Sequence, residues 1–198
     1  MSKPVFCRLE QLAHLRLPSQ TFIPAILQEL HHIIPSIANT FCWQDDQDNL
    51  SNIYDETSNI DIINAFDRSL ATQKKDKYSH TIEWVSKLDT PTTSFDNFGK
   101  CSFIAEFYKT IMLPAGYTNT CFIPIFHNLT NKRLGVLMVH RKRPNKSFSE
   151  SDLANLNLIA KTIARGIEQA SKDEVSMTDG WSQGLIVSDR NAELQYAC

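Results

Sequence analysis

Two apolar runs separated by a short polar break constrain the fold of this 198-residue chain more than any other feature. The runs span residues 121–126 and 134–139, and the break between them, 127–133, contains Asn and Thr. Runs of this length that are rich in Ile, Val and Phe predict the two strands of an antiparallel hairpin. Because nearly every position in both strands is apolar, we expect both faces of the hairpin to be covered. Gly135, inside the second strand, indicates a bulge or a close backbone approach.

The residues after this hairpin predict a helix that covers one of its faces. Ser149 is a suitable N-cap, and Asp152, three positions later, can complete a capping box with it. Apolar residues then recur at intervals of three and four, which is typical of an amphipathic helix. The apolar stripe consists of Leu153, Leu156, Ala160, Ile163 and Ile167. We expect this stripe to pack against the sheet.

The first part of the chain predicts one more helix and a second hairpin. A helix is expected over residues 21–34, with Pro24 in its first turn and Pro35 ending it. Aromatic and β-branched residues at 36–43 and 50–54 predict two strands around an acidic turn.

The segment 60–100 has the least regular pattern. Helical spacing is present at 60–70, a short element at 82–88, and a loop rich in Thr, Ser, Pro and Asn at 89–99. Helical spacing returns at 101–112. The order of elements predicts an α+β fold with a central antiparallel sheet of about five to six strands and helices packed on it.

Composition and motifs exclude several classes of protein. The net charge of -2 argues against a large nucleic-acid surface, and no run of about 18 apolar residues predicts a membrane span. The 5 cysteines are scattered, odd in number and never in a CxxC spacing, so we expect no zinc site or disulfide framework. Without a signal-peptide pattern, a cytoplasmic location is expected. The GxSxG, P-loop, HExxH and dinucleotide motifs are absent, so we expect neither an enzyme nor a cofactor.

Three motifs in order carry a family resemblance. They are the Leu-Pro-Ala-Gly step at 113–116, the strand LGVLMVHR at 134–141, and the helix start Phe-Ser-x-x-Asp-Leu at 148–153. With its surroundings, residues 106–168, this region resembles the second half of a GAF domain. The version it resembles is found at the N-terminal side of bacterial LuxR-type transcription regulators, which bind DNA through a helix-turn-helix domain.

The resemblance implies a sensory or regulatory domain with a small-molecule pocket beside the sheet. Side chains suited to contact an unknown ligand there are Trp43, Tyr54, Phe103, Phe107, Tyr117, Cys121 and His140. The alternative for each is ordinary core packing, and for His140 it is a hydrogen-bonded histidine at a strand end. The family's cyclic-nucleotide signature and the Cys-His dipeptide of its bilin-binding members are absent, so neither ligand is expected.

The resemblance also implies partners and a domain plan. Residues 1–172 are expected to form the sensor, and 173–198 a linker and the start of a PAS-like segment or a terminal hairpin. We expect a homodimer formed through the stripes at 21–34 and 153–167, and DNA contact only through a domain beyond residue 198. A dimerisation module that binds no ligand is the alternative function.

Overall fold

The computed structural model describes residues 3–47, 49–57, 63–64, 79–93, 102–142, 147–174, 186–188 and 194–197. The helices there are α1 Lys3–His14, α2 Ser19–Leu30, α3 Ser79–Ser86, α4 Ser102–Phe107 and α5 Glu150–Glu174. A π-helical segment, Tyr108–Met112, continues α4. The strands are β1 Ala38–Gln44, β2 Leu50–Asp55, β3 Thr92–Thr93, β4 Asn119–Phe126, β5 Arg133–Arg141, β6 Ile186–Ser188 and β7 Leu194–Ala197.

Five strands form one antiparallel sheet in the order β2-β1-β5-β4-β3. The predicted hairpin is confirmed as β4 and β5, and β5 lies at the centre of the sheet, where Leu137 pairs with both Phe41 and Ile123. The predicted α+β fold is therefore confirmed. Near the C-terminus, β6 and β7 pair with each other in a separate two-stranded sheet.

The sheet has a helix-covered core on each face, because successive strand residues alternate between faces. On one face, Phe41, Ile123 and Leu137 belong to a buried cluster with residues of α1, α2 and α5. We call this the three-helix face. On the other face, Cys42 and Met138 pack with residues of α3, and a neighbouring cluster contains the π-helical segment. We call this the α3/α4 face.

The predicted start and stripe of α5 are confirmed. The Ser149 backbone N–H donates to Asp152 Oδ2 at 2.8 Å, and the Asp152 N–H donates to Ser149 Oγ at 3.1 Å. This reciprocal pair satisfies two helix donors that would otherwise lack partners. Leu156 and Ile163 are 0% exposed in the three-helix core. The apolar stripe of α5 is thus buried inside the chain itself.

Two glycines lie at close contacts between elements. A Cβ on Gly135 would lie 2.4 Å from the Cys42 carbonyl oxygen and 2.7 Å from Phe41 Cζ. The close approach predicted for this strand position is therefore confirmed. A Cβ on Gly166, in α5, would lie 2.2 Å from Phe22 Cζ in α2, so the absence of a side chain lets these two helices meet.

Helix α1 was not predicted, and it completes the three-helix face. Val5, Leu9 and Ala13 are buried at 8%, 0% and 0% exposure, with the four-residue spacing of a helical stripe. Glu10 forms an ion pair with Arg165 of α5. The helix therefore covers a surface that α2 and α5 would otherwise leave to water.

Three predicted boundaries differ from the structure or lie outside it. The helix predicted at 21–34 is α2, which ends at Leu30, where the backbone bonds tighten to three-residue turns such as His32 N–H to the Glu29 carbonyl. The loop predicted at 89–99 contains β3, which pairs with β4. Residues 94–99 and most of 60–70 lie outside the described residues. Among the described helices, none combines the length and apolar character that crossing a bilayer requires.

Candidate functional site

A buried polar network crosses the α3/α4 face at its centre, around His140 of β5. The flanking strands each supply a threonine: Thr40 Oγ1 lies 2.9 Å from His140 Nε2, and Thr120 Oγ1 lies 2.9 Å from Nδ1. The imidazole also stacks on the Tyr117 ring, with centroids 4.1 Å apart and planes 9° apart. Both ring nitrogens and one ring face of His140 are therefore occupied by this chain's own side chains.

The network continues to Asp55 at the end of β2. Thr40 Oγ1 donates to Asp55 Oδ2, and Thr57 Oγ1 donates to Asp55 Oδ1. Thr57 Oγ1 also lies 2.9 Å from the Tyr117 hydroxyl, which closes the chain of hydrogen bonds. Because the Thr40 proton goes to the carboxylate, its oxygen accepts from His140, and the neutral imidazole carries its proton on Nε2.

Burial sets the protonation states of two of these groups. Desolvation lowers the pKa of His140 to about 4, and the negative charge of Asp55 opposes this shift only in part. Desolvation also raises the pKa of Tyr117 to about 12, although the hydrogen bond with Thr57 acts in the opposite direction. At neutral pH the network therefore contains a neutral imidazole and a neutral phenol.

The structure brings only some of the candidate ligand contacts together. Tyr117 and His140 are stacked, and Phe107 packs against the cluster that contains Tyr117. The side chain of Phe103 lies outside what the structure describes.

The other candidates lie on the opposite face of the sheet. Trp43, Tyr54 and Cys121 belong to or pack against the three-helix core. Trp43 makes an edge contact with Phe41 at 5.0 Å, and its Nε1 donates to Ser19 Oγ at 3.2 Å. Strand alternation separates the candidates, because neighbouring strand residues face opposite sides. No contact with a ligand is tested for any of the seven, and that role stays a prediction.

Sequence reasoning missed the hydroxyls and the carboxylate of the network. Thr40 and Thr120 are 0% exposed and Asp55 is 4% exposed, although these residue types are mostly found at surfaces. For the two threonines the signal is positional, since each is a polar residue within a strand that is otherwise largely apolar. That pattern indicates a buried polar contact but not its partner.

The segment above this network contains an unusual helical turn. Within the π-helix, the Leu113 N–H donates to the Tyr108 carbonyl at 2.8 Å, five residues earlier. The Tyr117 N–H donates in the same way to the Met112 carbonyl at 2.9 Å. Hydrogen bonds of this π-helical type are rare and often occur at functional sites. Here they position Tyr117 above His140.

The residue after His140 holds the start of α5. Arg141 is 5% exposed, and its Nε donates to the Pro35 carbonyl at 2.8 Å. Its Nη1 lies 3.2 Å from Asp152 Oδ2, and the guanidinium lies over the Phe148 ring at 4.2 Å. One buried cation therefore joins the segment before β1, the end of β5 and the first turn of α5.

Asp152 is ionised in this arrangement. Burial raises the pKa of Asp152, but hydrogen bonds from Ser149 and Arg141 outweigh burial and leave the pKa below its ordinary value. Among the described residues, no group of three His, Cys, Asp or Glu side chains could hold a metal ion.

Comparison with known proteins identifies the family. A family model for the GAF domain matches residues 20–167, three quarters of the chain. The chain belongs to the GAF domain family. The match includes β1 to β5 and most of α5, but α1 precedes it. No curated protein sequence matches the chain significantly.

Solved structures share the fold of this GAF domain at low sequence identity. A domain named for a two-component sensor histidine kinase protein from Sinorhizobium meliloti 1021 is 12% identical, with a TM-score of 0.54 and coverage of 81% of this chain and 97% of that one. A GAF domain/HD domain protein from Geobacter sulfurreducens is 13% identical, with a TM-score of 0.52 and coverage of 85% and 99%. The phycoerythrobilin-bound GAF domain of a cyanobacterial phytochrome is 15% identical, with a TM-score of 0.53 and coverage of 87% and 97%. At these identities the three structures show a shared fold, which agrees with membership of the GAF domain family.

Proposed function

We propose that this GAF domain binds a small molecule on the α3/α4 face of its sheet and relays binding to α5 through β5. The observation that carries the proposal is the adjacency of two residues. His140 belongs to the polar network on that face, and Arg141 holds the start of α5 on the other. A ligand that moves the end of β5 therefore also moves the first turn of α5.

The relay is a shift between two positions of α5. A ligand shifts such an equilibrium only to the extent that it binds one position more tightly. The π-helical turns beside Tyr117 support a binding site on this face, since irregular helical turns accompany functional sites. The segment at 86–99 and α5 are the parts that we expect to respond.

We further propose that the output is transcription. The support is the resemblance of the motifs at 113–116, 134–141 and 148–153 to regulators of the LuxR type. In this proposal the chain acts as a homodimer in the cytoplasm and is not an enzyme, and a domain beyond residue 198 contacts DNA. The free thiols of Cys7, Cys42 and Cys121 are consistent with a reducing compartment.

One observation favours a dimerisation module without a ligand as the second candidate. Both ring nitrogens of His140 have partners in Thr40 and Thr120, so a bound polar molecule is not needed to satisfy them. The stripe at 153–167, through which we expected a dimer to form, is occupied by the chain's own core, where Ile163 is 0% exposed. A dimer of this kind would therefore use the outer surface of the three-helix face.

Native mass spectrometry of the protein purified without denaturation from its own cells distinguishes the two functions. A sensor is expected to carry a defined small molecule that denaturation releases. A mass of the chain alone, or of two chains alone, even after incubation with small molecules extracted from those cells, would contradict ligand binding. Two chains alone would support the dimerisation module.

Hydrogen exchange with the recovered ligand tests the relay. We expect binding to change exchange in the first turns of α5, and Arg141→Lys to keep binding but lose that change. Lysine keeps the charge but cannot reach the Pro35 carbonyl and Asp152 together as the guanidinium does. Arg165→Lys, on α5 itself, is the matched control and should respond like the wild type. A full response in Arg141→Lys would exclude this relay.

A further inference from the structure

A groove of about 500 Å³ lies between the first half of α5 and the end of β4. Its lining comes from the segment before β3, the end of β4, the turn between β4 and β5, and α5. The lining residues are Asp89, Pro91, Pro124, Phe126, His127, Asn128, Asn131, Asn157, Ala160 and Lys161. None of them belongs to the His140 network, so the groove is separate from the ligand site proposed above. Its volume is within the range of small-molecule sites.

The turn that forms one wall of the groove is fixed against α5. Glu168 of α5 accepts hydrogen bonds through Oε1 from the Asn128 backbone N–H and from its side-chain amide at 3.0 Å. His127 Nδ1 accepts from the N–H groups of Leu129 and Thr130 at 3.2 and 3.3 Å. These bonds fix the β4–β5 turn against α5 without a ligand, so this wall of the groove is preformed.

The polar side chains in the lining include several hydrogen-bond donors and one lysine. Because His127 Nδ1 accepts two bonds, the neutral ring carries its proton on Nε2. Within the described part of the chain, this Nε2 and the side chains of Asn131, Asn157 and Lys161 have no partner. Asp89, the carboxylate in the lining, forms an ion pair with Arg133. The groove thus presents free donors and one free cation beside a compensated carboxylate.

The remaining lining is apolar. Pro124 is buried, and Pro91, Phe126 and Ala160 are half-buried. An apolar wall with a few converging polar groups is the usual composition of a small-molecule site. The charge of Lys161 favours an anionic group, which the amide donors of Asn131 and Asn157 can also bind, and the apolar wall favours a hydrocarbon body.

We propose that this groove is a second binding site, for a small organic anion that has a carboxylate or phosphate group on an apolar body. Lys161 and Asn157 bind the anionic group, and Phe126 contacts the apolar part. A bound anion connects α5 to the β4–β5 turn nearer to the start of α5 than Glu168 does. It therefore stabilises the position of α5 against the sheet.

Titration of the ¹⁵N-labelled protein with three probes tests the site and its preference. The probes are 3-phenylpropionate, phenyl phosphate and the neutral 3-phenylpropionamide. We expect saturable amide shifts at Phe126, Asn131, Asn157 and Lys161 with at least one anion and much smaller shifts with the amide. The tighter anion identifies the preferred group. Equal binding of the neutral amide, or shifts located elsewhere, would overturn the proposal.

A matched pair of variants separates the groove from general charge attraction. Lys161→Glu and Lys109→Glu change the net charge equally, and both lysines are exposed, but Lys109 lies in the π-helical segment. We expect Lys161→Glu to raise the Kd of the bound anion about tenfold and Lys109→Glu to change it less than about twofold. Equal effects would show that the anion responds only to net charge and would overturn the site.

Discussion

His140 and Arg141 are consecutive residues of β5 whose side chains leave the sheet on opposite sides. His140 stacks on Tyr117 on the α3/α4 face, and Arg141 lies over Phe148, a member of the three-helix core. Because side chains of a β-strand alternate between faces, a neutral buried imidazole and a buried cation lie on opposite faces of the sheet at adjacent residues. Any movement of this strand end changes both surroundings at once.

The Arg141 contact is expected to stabilise the fold strongly. Arg141→Met should lower the free energy of unfolding by about 3 kcal/mol, because it leaves the Asp152 carboxylate and the Pro35 carbonyl without their charged partner. Urea denaturation measures the change. The control is Arg165→Met, whose ion pair with Glu10 is 41% exposed on the arginine side, and which should cost less than about 1 kcal/mol. Equal losses would contradict a special role for Arg141.

The His140 network is expected to make stability fall in mild acid. The pKa of His140 is about 4 in the folded chain and near 6.5 when unfolded, so between these values the unfolded chain binds more protons. This stabilisation is complete above pH 6.5 and decreases as the pH falls toward 4. We expect it to amount to about 3 kcal/mol over that window. Urea denaturation at several pH values measures it.

A pair of variants isolates the contribution of His140 from that of other titrating groups. His140→Gln should remove the His140 share of the acid sensitivity, whereas His32→Gln, at an exposed position, should keep it. NMR titration of the imidazole gives the pKa of His140 directly. An imidazole that titrates near 6.5 in the folded protein would show that burial does not shift it.

The contact between α2 and α5 is expected to be too close for a side chain at Gly166. Gly166→Ala should destabilise the protein by about 2 kcal/mol, although alanine favours helix by about 1 kcal/mol, because its Cβ would overlap the Phe22 ring. Phe22→Leu in the same chain should recover part of the loss, since it removes the overlapping ring. Losses that simply add in the double variant would argue against this contact as the cause.

Helix α1 is expected to be part of the folded unit although it precedes the residues that the family model matches. Leu9→Ala should cost about 3 kcal/mol, because Leu9 is 0% exposed in the three-helix core. Leu15→Ala, at a position that is 60% exposed just after α1, should cost less than about 0.5 kcal/mol. Thermal or urea denaturation compares them, and equal small effects would mean that α1 is not docked in solution.

The elements with strong local signals were predicted from the sequence, and those defined by distant partners were not. The capping box of Ser149 and Asp152 and the two strands around the turn at 127–133 depend on near neighbours, so the pattern located them. Strand β3 has only two residues, and its pairing partner Cys121 lies far along the chain. No local pattern could identify it.

The candidate site shows the same division. Sequence reasoning selected Tyr117 and His140 as notable residues and left open whether His140 was hydrogen-bonded, but it could not assign Thr40 and Asp55 as partners. Thr40 and His140 are 100 positions apart, and the sheet order alone makes them neighbours. Trp43 and Cys121 resemble the other candidates in composition, yet strand register places them on the opposite face.

By itself the sequence determined the α+β class, the central hairpin and the amphipathic α5, because hydrophobic periodicity and capping are properties of neighbouring residues. Only the tertiary structure decided that α1 completes the three-helix face and which candidates share a face. It also decided that His140 is neutral, buried and bonded on both ring nitrogens. The reason is physical: burial and hydrogen-bond partners depend on residues brought together from β1, β2, β4 and β5, and a linear pattern contains no such distances.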